Sequence, residues 1–141
     1  MQSIKNIWQK MPRLFKLFIF LGLVAWFIGY GVGEQINNQT EIVKKLSYND
    51  LVIAVGVAVT VDGMCNDITF WPNSLGYVLS LKDISWDSLT NETGDNYDLF
   101  MSSVSRTRSR LGTPPTDANC NEFMQLFGDN GTFIPNFLDF K

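Results

Sequence analysis

The chain contains no histidine. That absence excludes Ser-His-Asp and Cys-His nucleophilic arrangements, together with any histidine-ligated metal or haem. Cysteine is scarce too. Cys65 and Cys120 stand far apart, with neither a CxxC pair nor a CxxCH haem-attachment sequence, so a cysteine-based zinc site is not signalled. Neither GxGxxG nor the P-loop pattern GxxxxGK followed by Ser or Thr occurs, so no nucleotide-binding loop is indicated. There is no internal repeat and no low-complexity tract. A pair of carboxylates can carry out acid–base hydrolysis in principle, but none of the 14 acidic residues is singled out by its context. The expectation is a protein that is not an enzyme and takes no cofactor and no metal.

Charge is missing from one stretch altogether. Leu17 to Gly33, LFIFLGLVAWFIGYGVG, carries none. Extended back to Leu14 the run has twenty residues, which as a helix span roughly 30 Å, the thickness of a hydrocarbon core. Lys16, near one end, has a stem long enough to bring its amine to the headgroups, and Tyr30 suits the far interface. Acids are absent from residues 1–33, which hold Lys5, Lys10, Arg13 and Lys16; residues 34–141 hold 7 basic residues and all 14 acids. The net charge of −3 is therefore +4 on the first part and −7 on the second. The positive-inside rule keeps the N-terminus in the cytoplasm and exports the rest. A cleaved signal peptide with its processing site near Gly31-Val32-Gly33 is the rival, but the apolar run is longer than a usual signal core.

This division gives four segments. Residues 1–13 read as a cytoplasmic amphipathic lead-in, with Ile4, Ile7, Trp8 and Met11 at helical spacing and lysines near anionic lipid. Residues 14–33 are the transmembrane helix, 34–46 a polar stalk, and 47–141 one small exported domain. Gly22, Gly29 and Gly33 include a Gly-xxx-Gly spacing that permits close helix–helix approach, so Gly22 and Gly29 are candidate partner contacts. At eleven residues, the apolar run Leu51–Val61 is too short for a second crossing.

On the oxidising side two cysteines predict a Cys65–Cys120 disulfide. The domain reads as mainly α, with one ambiguity. Ser47 and Asp50 form a capping pattern ahead of the run LVIAVGVAVTV, which favours a helix over about 48–63. The same run alternates β-branched and small residues, which favours a strand over 51–61 and an α+β domain as the alternative. Helix is the expectation. The stretch 62–73 reads as loop, with short elements over 74–81 and 84–89. A helix is expected over 97–111, capped by Asp95 or Asn96, with Tyr97, Phe100, Met101, Val104 and Leu111 inward and Gly112 as its stop. Thr113-Pro114-Pro115 is a rigid link. A last helix, capped by Thr116 or Asp117, carries Cys120, Phe123, Met124 and Phe127 inward and ends at Gly128.

Three surface features remain. Arg106, Arg108 and Arg110 stand out in an acidic domain; Arg106 and Arg110 share a helical face and are candidate contacts with a partner's acidic patch or lipid headgroups. The aromatic tail FIPNFLDFK must cover something: its own domain, or another subunit through Phe133, Phe137 and Phe140. The acids of Asp95-Asn96-Tyr97-Asp98 and Asp129-Asn130 suit calcium in type, yet match no EF-hand spacing and read as solvated turns. Three N-glycosylation sequons begin at Asn38, Asn91 and Asn130, few enough in a chain this rich in asparagine to arise by chance.

The functional expectation is a single-pass accessory or assembly subunit of a larger inner-membrane complex. Its N-terminus would be cytoplasmic and its domain periplasmic or extracellular. Its partners would be other membrane-protein subunits and the lipid bilayer, with no nucleic acid. A membrane-anchored binding or inhibitory module, such as an immunity or exclusion factor, is the first alternative; a membrane-acting lysis or signalling protein is the second.

Overall fold

The computed structural model describes residues 38–141. The lead-in, the apolar run of 14–33 and the candidate contacts Gly22 and Gly29 lie outside the described residues. Among those that are described, no helix is long and apolar enough to cross a membrane.

The domain is mainly helical with one two-stranded sheet. After helical backbone over 38–45 come α1 (Tyr48–Met64), β1 (Ile68–Phe70), α2 (Ser74–Ser80), α3 (Trp86–Thr90), α4 (Tyr97–Leu111), α5 (Asp117–Phe127) and β2 (Leu138–Phe140). The strands pair antiparallel, with Thr69 opposite Asp139.

The capping signal prevails in α1. The Ser47 hydroxyl accepts the Asp50 amide at 3.1 Å and donates to the Asp50 carboxylate at 2.6 Å, satisfying one of the helix's orphan donors. The strand alternative over 51–61 is thereby overturned. The β-branched run tolerates a helix because almost every side is covered: Leu51, Val52, Val55, Ala58 and Val61 are wholly buried. Tertiary burial outweighs the small propensity penalty of valine.

Helix α4 is the principal partner of α1. The two meet closely at Gly56, where an added Cβ would stand 1.8 Å from Ser103 Oγ and 3.0 Å from the Phe100 carbonyl oxygen. This contact corrects the expected inner face of α4. Its buried stripe is Phe100, Ser103, Thr107 and Leu111, while Met101 is 40% exposed. Ser103 donates to the Phe100 carbonyl and Thr107 to the Ser103 carbonyl, so both hydroxyls are satisfied within their own helix and pack as small side chains. Asn96 occupies the N-cap position but makes no side-chain cap bond; its amide donates to Tyr48 Oη and Ser88 Oγ instead. Gly112 ends the helix at φ +82°, a left-handed conformation that glycine adopts without strain.

The predicted disulfide is present. Cys65, just past α1, and Cys120 on α5 are bonded with their Cα atoms 6.0 Å apart. Thr116 caps α5 by accepting the Asn119 amide at 3.2 Å, and Cys120, Phe123 and Phe127 face the core as expected. The Thr113–Pro114 peptide is cis.

Two further readings change. The stretch expected to be loop, 62–73, contains the end of α1 and strand β1. The latter half of the expected stalk packs onto the domain: Val43 is wholly buried, and Gln39 donates to the backbone carbonyls of Pro135 and Asn136 at 3.0 and 3.2 Å.

A candidate interaction groove

The C-terminal tail covers its own domain first. Phe137 is wholly buried, packed edge-on to Phe70 at 5.2 Å and tilted against Phe127 at 6.1 Å. Its carbonyl accepts the Trp71 amide and the Ser74 hydroxyl. Phe137 is therefore a core residue, and its expected role in partner contact is corrected: a side chain with no accessible surface has none to offer. Phe140, on β2, is 55% exposed, beside a recess that also involves Ile68, Pro114 and Cys120.

Phe133 lies elsewhere, and with it a site takes shape. Its ring is half-buried and edge-on to Phe127 at 6.0 Å. It lines a groove of about 380 Å3 between α1, α4 and α5. Ile53, Ala54 and Val57 line the α1 wall, and Phe123, Leu126 and Phe127 the α5 wall. Helix α4 supplies Leu99, Ser102, Ser103, Arg106, Thr107 and Arg110. Three residues singled out in the sequence, Phe133, Arg106 and Arg110, thus meet in one groove; Phe137 and Phe140 do not take part.

The two arginines differ. Arg110 is ion-paired with Glu122 of α5 and lies over the Phe123 ring, its guanidinium carbon 5.6 Å from the centroid. That pair is well exposed, so its value lies in orienting the side chain more than in stability. Arg106 is exposed and has no ion pair among the described residues. Among the described residues no acidic one lines the groove. A site with an apolar floor and only positive charge at its rim has formed on a domain whose described residues hold seven bases against thirteen acids.

The sequence carried a signal for the remaining lining residues. Leu99 and Ser103, four apart, continue the helical face of Arg106 and Arg110, and Ile53 and Val57 are likewise four apart on α1. Reading Met101 as inward displaced the first set from view.

Among its described lining residues the groove holds no arrangement of nucleophile, base and oxyanion donors. Among the described residues no group of three or more His, Cys, Asp or Glu side chains is placed to hold a metal ion. No protein-family model matches the chain, and no match to it was found among curated proteins or solved structures.

Proposed function

We propose that the protein is a single-pass membrane accessory subunit. Its apolar N-terminal segment anchors it in the bilayer, and its exported, disulfide-stapled domain docks on another membrane-protein subunit through the groove between α1, α4 and α5. The carrying observation is that groove: apolar surface the domain leaves uncovered beside Arg106, which has no ion partner among the described residues. The charge split between residues 1–33 and 34–141, and the uncharged run from Leu17 to Gly33, support the topology.

The energetics favour tethering as the mechanism. Ile53 is 38% exposed, so covering it contributes on the order of 1 kcal/mol. Val57, Leu99, Leu126 and Phe133 are half-buried and Ala54, Phe123 and Phe127 are already buried, so the groove as a whole offers roughly 3–5 kcal/mol, a millimolar contact between free partners. Confinement to one membrane plane raises effective concentration and makes such a contact sufficient.

Native-gel migration after extraction in mild detergent tests the proposal. The protein should run within a larger assembly. Migration alone, with the disulfide intact, refutes it. The groove's volume also lies in the range of small-ligand pockets, which favours a membrane-anchored binding module as the second reading. That protein would migrate alone.

A further inference from the structure

The groove's walls narrow the chemistry of its occupant. Leu99 to Arg110 on α4 covers eleven residue steps, about 16 Å or three helical turns. The walls are helices whose backbone groups are bonded within themselves. The short strands β1 and β2 pair with each other and contribute nothing to the lining. The groove therefore offers no row of free N–H or C=O groups. An extended peptide lying there would find no partner for the backbone groups turned towards the walls, whereas a helix brings its backbone bonds with it.

Electrostatics fixes the other requirement. Arg106 and Arg110 are one helical turn apart at the rim, and among the described residues no acid lines the groove. Arg110 is held by Glu122 and Phe123, which leaves Arg106 as the groove's arginine without an ion pair among the described residues. Resting on the proposed docking function, the geometry points to an amphipathic helix of a partner protein as the occupant. Its apolar residues at i, i+3 or i+4, and i+7 lie against Ile53, Val57 and Leu99, and an Asp or Glu on its flank pairs with Arg106. The partner helix completes the packing that α1, α4 and α5 begin, and the ion pair sets its direction and register.

The test uses the full-length chain in its own membrane, with a benzoylphenylalanine photocrosslinker at position 53 and, as a control, at the exposed position 48 outside the groove. After irradiation the adduct at 53 is mapped by peptide mass spectrometry. The expected adduct is a protein segment with helical apolar spacing and a flanking carboxylate, absent from the control. Arg106→Glu should lower its yield about tenfold or more, because like charges then face each other, while Arg106→Lys retains most of it. Adducts with lipid acyl chains overturn the inference, as do adducts with a segment lacking acids or a yield indifferent to Arg106→Glu. No adduct from a chain that still migrates in a large assembly rejects the helix in the groove but leaves the accessory role standing. No adduct from a chain that migrates alone rejects both.

Discussion

Replacing Gly56 with alanine is expected to destabilise the domain, against the ordinary preference of helices for alanine. In an open helix the exchange gains about 1 kcal/mol. Here the new Cβ would stand 1.8 Å from Ser103 Oγ, 3.2 Å from Ser103 Cβ and 3.0 Å from the Phe100 carbonyl oxygen. The hydroxyl can yield only by giving up its 2.7 Å bond to that carbonyl, in a site where Ser103 is 5% exposed. Otherwise α1 and α4 must move apart along their shared face. Either response costs about 1–3 kcal/mol, so the net change is a loss of about 1–2 kcal/mol. Gly63→Ala, in the same helix, meets nothing within 4 Å and should stabilise by up to about 1 kcal/mol. Ser103→Ala removes the closest atom, so Gly56→Ala with Ser103→Ala should recover about 1 kcal/mol relative to the sum of the single variants. Urea unfolding of the full chain in non-ionic detergent measures these differences. Trp86, edge-on to Phe100 of α4 at 6.0 Å, serves as the fluorescent reporter. If Gly56→Ala raises the unfolding midpoint as Gly63→Ala does, the helices do not approach as described.

Reduction of the Cys65–Cys120 bond, which closes a separation of 55 residues, should cost about 4 kcal/mol on the chain-entropy account, read as a lower urea midpoint in the presence of reductant. Phe137→Ala should cost about 3–5 kcal/mol because it empties a wholly buried site, whereas Phe140→Ala, at a side chain 55% exposed, should cost less than about 1 kcal/mol; thermal melts of the two variants separate them, and equal losses contradict the burial assignments. Ser47→Ala should cost about 1 kcal/mol through loss of the α1 cap, measured the same way.

How far the sequence could be read depended on whether a signal was local. The Ser47 cap, the Gly112 and Gly128 stops and the Thr116 cap are short-range devices, and each marks an observed boundary. The inner face of α4 was not legible by hydropathy. Its centre is Ser103 and Thr107, whose hydroxyls are satisfied by their own helix, and what places them inward is the bare backbone of Gly56 across the interface. Strand β1 was hidden for a related reason. Three residues carry too little alternation to announce a strand, and Ile68–Phe70 becomes one only because β2, some seventy positions later, lies beside it. The groove was half legible. The Arg106–Arg110 spacing and the aromatic Phe133 drew attention separately, but their meeting depends on how α5 crosses α4.

The same central helix accounts for the core and for the surface left open. A run as uniformly apolar as Leu51–Val61 has no polar face to turn towards water, so a stable domain must cover it all round. The chain very nearly does so. Helix α4, α5, β1 and the remainder of the core leave Leu51, Val52, Val55, Ala58 and Val61 without accessible surface. Val59 is only partly buried, and the most open side carries Ile53 and Val57, one turn apart, and faces the groove. A polar residue at 53 would have closed the matter at a moderate cost to folding, since the side chain is 38% exposed. Ile53→Ser should accordingly cost about 1–2 kcal/mol, the share of the side chain that is buried, and leave the domain folded. If the groove is a docking surface, the same change should release the protein from its assembly on a native gel. Release without unfolding separates an exposed isoleucine retained for contact from one that is merely tolerated, and full retention in the assembly would count against the groove.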